Sequence, residues 1–216
     1  MRTVLDIYRE YRLMPILQEH QLRVAAVSKL LSAHIKTPHD AKSVLLACLF
    51  HDMGNIIKSD LGHFPESVKP EGRKYWEKVK KEYIEKYGTN EHAATIAVVQ
   101  ELKLSERVTA LIDGIEFRNI EAIQRGADLE QKLCEYADMR AGPHGVLSIA
   151  ERTEDGKKRH TGRGNIFDTD RYVHQSNALK NLEADIFSMT DITPRDISDT
   201  SIQGIMKKLR AFPVLI

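Results

Sequence analysis

Apolar positions recur every three or four residues along most of the chain, and the strict alternation that marks strands is sparse. Leu13, Leu17, His20, Val24, Val27 and Leu31 fall at that spacing, which predicts a helix with His20 inside its apolar stripe. Thr37-Pro38-His39-Asp40 reads as a turn, with Asp40 or Thr37 as the cap of the next helix. That helix is apolar from Val44 to Phe50 and ends in His51-Asp52-Met53-Gly54, with Val44, Ala47 and His51 on one face. Gly88-Thr89-Asn90 stops one helix and caps another, which carries His92, Ile96 and Val99 inward. Ser105 caps a helix with Val108, Ile112 and Ile115 facing the core and Asp113 on its flank. Leu129, Leu133, Cys134 and Ala137 form a further stripe, with Asp138 one turn beyond Cys134 and Gly142-Pro143 as the stop. Asp170 to Met189 reads as another helix, and Thr193-Pro194 opens a last one carrying Ile202, Ile205, Met206 and Leu209. The pattern predicts an all-α helical bundle with a C-terminal helical extension.

Two stretches break the periodicity. Met53 to Gly72 holds three glycines and two prolines and is expected to be a long functional or mobile connection. Lys58, Asp60 and His63 are its reactive side chains, and His63 is assigned to a solvated surface loop. Trp76, Val79 and Tyr83 then give a narrow stripe amid alternating acids and bases, the signature of a surface helix and not of a nucleic-acid patch. Glu151 to Asp168 is polar and glycine-containing, with the basic run Lys157-Lys158-Arg159-His160, and reads as a solvated loop or short hairpin. No spacing here matches a P-loop or a dinucleotide fingerprint. The chain divides into residues 1–145, a helical domain, and 146–216, a polar loop with C-terminal helices packed on the same domain.

Composition narrows the function classes only a little. The 216 residues are 42% hydrophobic and 29% charged, with a net charge of +1, so no global field favours nucleic acid or membrane. No run approaches the roughly 20 apolar residues of a membrane span. Met1 to Tyr11 is charged throughout and has no apolar core of a signal peptide. Cys48 and Cys134 both lie in apolar stripes and read as small core residues of a reducing compartment. The expected location is the cytoplasm.

The chemistry lies in polar residues that the apolar pattern turns inward. An imidazole beside a carboxylate at the end of a buried helix needs partners, and a divalent cation satisfies both. The bland alternative is a helix cap, with His51 in the last turn and Gly54 near C′. Asp138 is also poorly placed, because a carboxylate late in an apolar helix meets the negative end of the dipole.

His20, the His51-Asp52 doublet and Asp138 stand on three separate helices. In that order they resemble the H…HD…D pattern of the HD-domain superfamily of metal-dependent phosphohydrolases. The matching pieces are His20-Gln21-Leu22-Arg23-Val24-Ala25, the Leu46-to-Gly54 stretch and Tyr136-Ala137-Asp138, within residues 13–145. The resemblance implies that His20, His51, Asp52 and Asp138 hold one divalent transition metal: Mn, Fe, Co, Ni or Zn. A metal-bound hydroxide would then attack phosphorus in a small phosphorylated substrate, a nucleotide or related phosphate ester. Asp60 or Lys58 would assist catalysis, Lys58 as a point cation toward phosphate. Arg23 would reach the mouth of the site or serve on the helix surface, and His92 would hydrogen-bond substrate phosphate or a metal-bound water.

The departures from the family pattern are informative. Asn55 stands where many members have Lys, the GYP signature of the cyclic-dinucleotide branch is missing, and no His-His pair lies near Asp113. His92 and Asp113 alone make a poor second metal site, so a single ion is expected. A di-iron oxygenase of the same fold, or a catalytically silent regulatory or binding module, are the alternatives.

Overall fold

The computed structural model describes residues 1–62, 68–161 and 169–214. Eleven α-helices, two three-residue 3-10 helices (Phe117–Asn119 and Pro194–Asp196) and one two-residue strand pair account for the regular structure among the described residues. The helices are α1 (Val4–Glu10), α2 (Pro15–His34), α3 (Ala41–Phe50), α4 (Arg73–Tyr87), α5 (Glu91–Glu101) and α6 (Glu106–Gly114). They continue with α7 (Ile120–Arg125), α8 (Leu129–Arg140), α9 (Ile149–Thr161), α10 (Thr169–Ser188) and α11 (Asp199–Leu209). Strand β1 (Arg2–Thr3) pairs antiparallel with β2 (Pro213–Val214), with Arg2 opposite Val214 and Thr3 opposite Pro213.

Helix α3 is the axis of the bundle. Asp40 caps it by accepting the Lys42 and Ser43 N–H groups, and Ser43 Oγ donates to the same carboxylate at 2.6 Å. Val44, Ala47, Cys48, Leu49 and Phe50 are fully buried, because α2, α6 and α8 pack around α3. A helix apolar on every side requires such a shell. Each large side chain there contributes about 1.5–3 kcal/mol on burial. Pro15 starts α2 at a position where its missing N–H costs nothing. Caps expected from the sequence are present, Asn90 accepting from Ala93 and Ser105 from Val108, and Asp128 caps α8 by accepting from Gln131.

Two expectations about the irregular stretches change. Met53, Gly54, Asn55, Ile56 and Ile57 are buried in tight turns, so the first part of Met53–Gly72 is core and not a mobile connection. Ile56, Ile57, Leu61 and Val68 join Met14, Trp76, Val79 and Tyr83 in a second apolar cluster. Trp76 Nε1 donates to Val68 O at 3.2 Å and Lys80 Nζ to Ser59 O at 2.8 Å, tying down backbone that a free loop would leave to water. His63 lies outside the described residues. The polar stretch after Gly145 is helical through Thr161, not a loop or hairpin. Ser148 and Glu151 start it reciprocally, Ser148 N–H donating to Glu151 at 2.8 Å and Glu151 N–H to Ser148 Oγ at 3.2 Å. Gly162 and Gly164 lie outside the described residues.

The C-terminal helices meet the bundle through a buried cation. Arg140 donates to the carbonyls of Leu147, Pro194 and Ile197 and to Tyr136 Oη. Helix α10 packs on α7 and α8, and α11 packs on α2.

Candidate metal centre

Three helices deliver four donor groups to one point. His20 comes from the middle of α2, His51 and Asp52 from the end of α3, and Asp138 from the last turn of α8. His20 Nε2 lies 3.5 Å from Asp52 Oδ2 and 3.1 Å from Asp138 Oδ1. His51 Nε2 lies 3.7 Å from the same Asp52 oxygen and 3.4 Å from the same Asp138 oxygen. The donor atoms of His20, His51 and Asp52 all fall within 4.8 Å of one another. Ligands about 2.1 Å from a shared ion stand about 3.0–3.4 Å apart at right-angled to tetrahedral geometry. The observed spacings fit that requirement with small adjustment.

The orientation of His51 carries the most information. Its Nδ1 donates to Cys48 O at 3.0 Å, which keeps a proton on Nδ1, fixes the ring and points Nε2 at the cluster. Nε2 is buried and has no hydrogen-bond partner. It is close enough to both carboxylates for charge attraction but not aligned with either. A buried polar nitrogen without a hydrogen-bond partner is costly unless a cation, proton or metal, is held between it and the carboxylates. The His51 side chain is 3% exposed, whereas His20, Asp52 and Asp138 keep 17%, 20% and 21%. The cluster is therefore closed behind His51 and open on the other side.

Charge follows the same geometry. Burial depresses the His51 pKa, but the Asp52 and Asp138 carboxylates outweigh it and raise the value to about 10. For Asp138, burial favours the neutral acid, yet His20 and His51 hold its carboxyl well below the ordinary range. Without a metal the set is thus a stabilised proton site, and the proton must leave when a cation enters.

Neighbouring residues fix the doublet in ways the sequence reading did not find. Gln21, fully buried next to His20, accepts the Asp52 N–H at 3.1 Å. Gly54 is not a left-handed C′ residue, since the glycines with positive φ are Gly72 and Gly88. It is needed for close approach: a Cβ there would lie 2.2 Å from Glu91 O and 2.8 Å from Thr95 N. Its N–H donates to Thr95 Oγ1 at 2.8 Å, locking the first turn of α5 against the doublet. Glu135, one turn before Asp138, is 1% exposed, and its Oε2 accepts the Glu116 N–H at 2.9 Å. Burial, then the Asp138 charge, push its pKa up to about 8. An acid in a stripe of Leu133, Cys134 and Ala137 was the available signal.

The remaining expected site residues have partners of their own. Lys58 Nζ is 3.6 Å from Glu91 at the start of α5. His92, the next residue along, has Nε2 2.9 Å from Asp113 Oδ1. Asp60 Oδ1 accepts the Gly62 N–H at 2.9 Å. Arg23 is buried, donates to Gly142 O at 3.0 Å and lies 3.9 Å from Asp199. An open groove of about 550 Å³ between α5 and α6 is bordered by Asp113, Ile96 and Thr109 and is not lined by the His/Asp cluster.

A family model of the HD domain matches residues 17–138, more than half of the chain, and the chain belongs to that family. The matched span contains all four clustered residues. No curated protein and no solved structure gives a significant match. HD domains are characteristically metal-dependent hydrolases of phosphate esters, and the His20–His51–Asp52 cluster has the donors such chemistry requires. Among the described residues no helix is long and apolar enough to cross a membrane.

Proposed function

We propose that this protein is a single-metal phosphohydrolase acting on a nucleotide or related small phosphate ester. The observation that carries the reading is the buried, unpartnered Nε2 of His51, aimed at the point where His20, Asp52 and Asp138 converge. Two imidazoles and two carboxylates make an N₂O₂ set suited to Mn, Fe, Co, Ni or Zn. Bound there by His20, His51, Asp52 and Asp138, such an ion would supply Lewis acidity toward a phosphoryl oxygen and toward the attacking water.

The chain's own residues do the rest. Cys48 O holds the His51 tautomer, and Gln21 with Gly54 holds the doublet. Lys58 and His92 sit at the N-terminal turn of α5, where backbone N–H groups and the helix dipole favour an anion. That placement supports a phosphate-facing role for both, with Asp113 orienting the His92 ring. Asp60 lies two residues beyond Lys58 and is the carboxylate assigned to proton transfer. Arg23 binds the loop after Asp138 through Gly142 and thereby braces the mouth of the site.

The test is free phosphate released from a panel of nucleotides and sugar phosphates by the metal-loaded protein. Release should vanish with a chelator and return with added metal. His92→Ala should keep the metal but lose about 10²-fold or more in rate, as when a transition-state contact is removed. Full activity in the presence of chelator would overturn the reading.

A further inference from the structure

The packed core beneath the metal ligands holds two thiols that the proposed reaction does not use. Cys48 stands three residues before His51 on α3, and Cys134 stands four residues before Asp138 on α8. Both are fully buried and unbridged. Each therefore lies one helical turn below a candidate ligand on its own helix. Helices α3 and α8 pack on each other, and one turn above the two thiols His51 Nε2 lies 3.4 Å from Asp138 Oδ1 across that seam. Cys134 Sγ sits 3.9 Å from Val44 O, on the same side of α3.

We propose that Cys48 and Cys134 are a redox pair whose disulfide competes with metal binding at the His/Asp cluster. The coupling to metal rests on the metal-centre reading above; formation of the disulfide does not. A disulfide needs an S–S bond of about 2.05 Å with Cα atoms about 4.4–6.8 Å apart. With Cys134 Sγ 3.9 Å from Val44 O, one turn before Cys48, an inward movement of α3 against α8 would bring the two sulfurs to that requirement. Metal sites tolerate ligand displacements of only about 0.2 Å. Cys48 also supplies the carbonyl that orients His51, so drawing Cys48 toward Cys134 moves the ring that must face the ion.

The oxidant is a small peroxide. Hydrogen peroxide oxidises one thiol to a sulfenic acid, breaking its O–O bond and releasing water. The second thiol attacks that sulfur, the S–S bond forms, the S–O bond breaks and a second water leaves. Two thiols lose two electrons and two protons, and one peroxide becomes two waters. A bound ion pins α3 to α8 and slows the reaction, so the metal-free chain is the sensitive form.

The experiment treats the metal-free full-length chain with hydrogen peroxide and reads intact mass and free thiols after denaturation. The expected product is lighter by the mass of two hydrogen atoms, has no free thiol and remains one chain. Its affinity for Mn²⁺ should fall by about tenfold or more, in the range seen when groups orienting a ligand are disturbed. Dithiothreitol should restore both readings. Cys134→Ala should lose neither hydrogen pair nor Mn²⁺ affinity on the same treatment. Cys48→Ala gives the same control should the first variant fail to fold. Two surviving thiols, separate oxygen additions, or an oxidised chain that binds Mn²⁺ as the reduced one does would each overturn the proposal. Reduced wild type that binds no Mn²⁺ would overturn the metal reading and the competition together, while the mass would still decide the disulfide.

Discussion

His20 Nε2 lies 3.1 Å from Asp138 Oδ1, which joins the middle of α2 to the last turn of α8 across the end of α3. The same oxygen is 3.4 Å from His51 Nε2, so one carboxylate serves both imidazoles. Asp138→Asn keeps the shape but removes the charge that both rings face. Metal affinity should fall by about 100-fold or more while the chain stays folded, because a deprotonated donor has been lost. Isothermal titration with Mn²⁺ beside a thermal melt checks this; unchanged affinity would exclude Asp138 as a ligand.

Metal binding should depend on pH in a defined direction. The His51 pKa is raised to about 10 in the metal-free fold, above its ordinary 6.5. Its cation therefore stabilises that fold fully below 6.5, and the contribution disappears as pH rises through about 10. Because the entering ion must displace this proton, affinity should rise with pH between 7 and 9, by about tenfold per unit for one proton. Titrations at pH 7, 8 and 9 in matched ionic strength test it. A flat profile would mean that His51 does not gain its proton in the free protein.

Glu135 gives the opposite kind of pH signature, in stability. Burial and the Asp138 charge raise its pKa to about 8, from 4.5. The protonated acid suits the fold below 4.5, and that advantage is lost as pH climbs through 8. Glu135→Gln keeps an acceptor for the Glu116 N–H and cannot ionise. The metal-free variant should be more stable than wild type at pH 8, by on the order of 1–3 kcal/mol, with the gap closing toward pH 5. Urea melts at the two pH values decide it.

Gly54→Ala should show how tightly α5 is seated on the doublet. Its Cβ would come within 2.2 Å of Glu91 O and 2.9 Å of Ala94 Cβ, distances that force the backbone apart. A loss of about 1–3 kcal/mol is expected from overpacking, together with weaker metal binding because Asp52 is two residues away. A variant as stable as wild type with full metal affinity would show that the contact bends without consequence.

How far the chain could be read depends on whether a residue's neighbours are local. The apolar stripes around His20, His51 and Cys134 lie within single helices, so the all-α class and the inward direction of these side chains were legible. The caps at Asp40, Asn90 and Ser105 were legible for the same reason. Ile56 and Ile57 were not, because they become core only when Trp76 and Met14 close over them from other elements. The helix over Ile149–Thr161 was obscured by Gly156 and the lysine run, although its Ser148–Glu151 start was in the sequence. Gly54 presents the same letter whether it turns left-handed or admits α5, and only the approach of Glu91 O distinguishes the two.

The central claim is that Asp52 and its three neighbours hold one ion, and metal content per chain tests it most directly. Purified wild type, reconstituted with a divalent transition metal and desalted, should retain about one ion per chain by elemental analysis. Asp52→Ala, treated identically and shown to be folded by circular dichroism, should retain essentially none. Equal metal in the two proteins, or none in the wild type, would contradict the assignment.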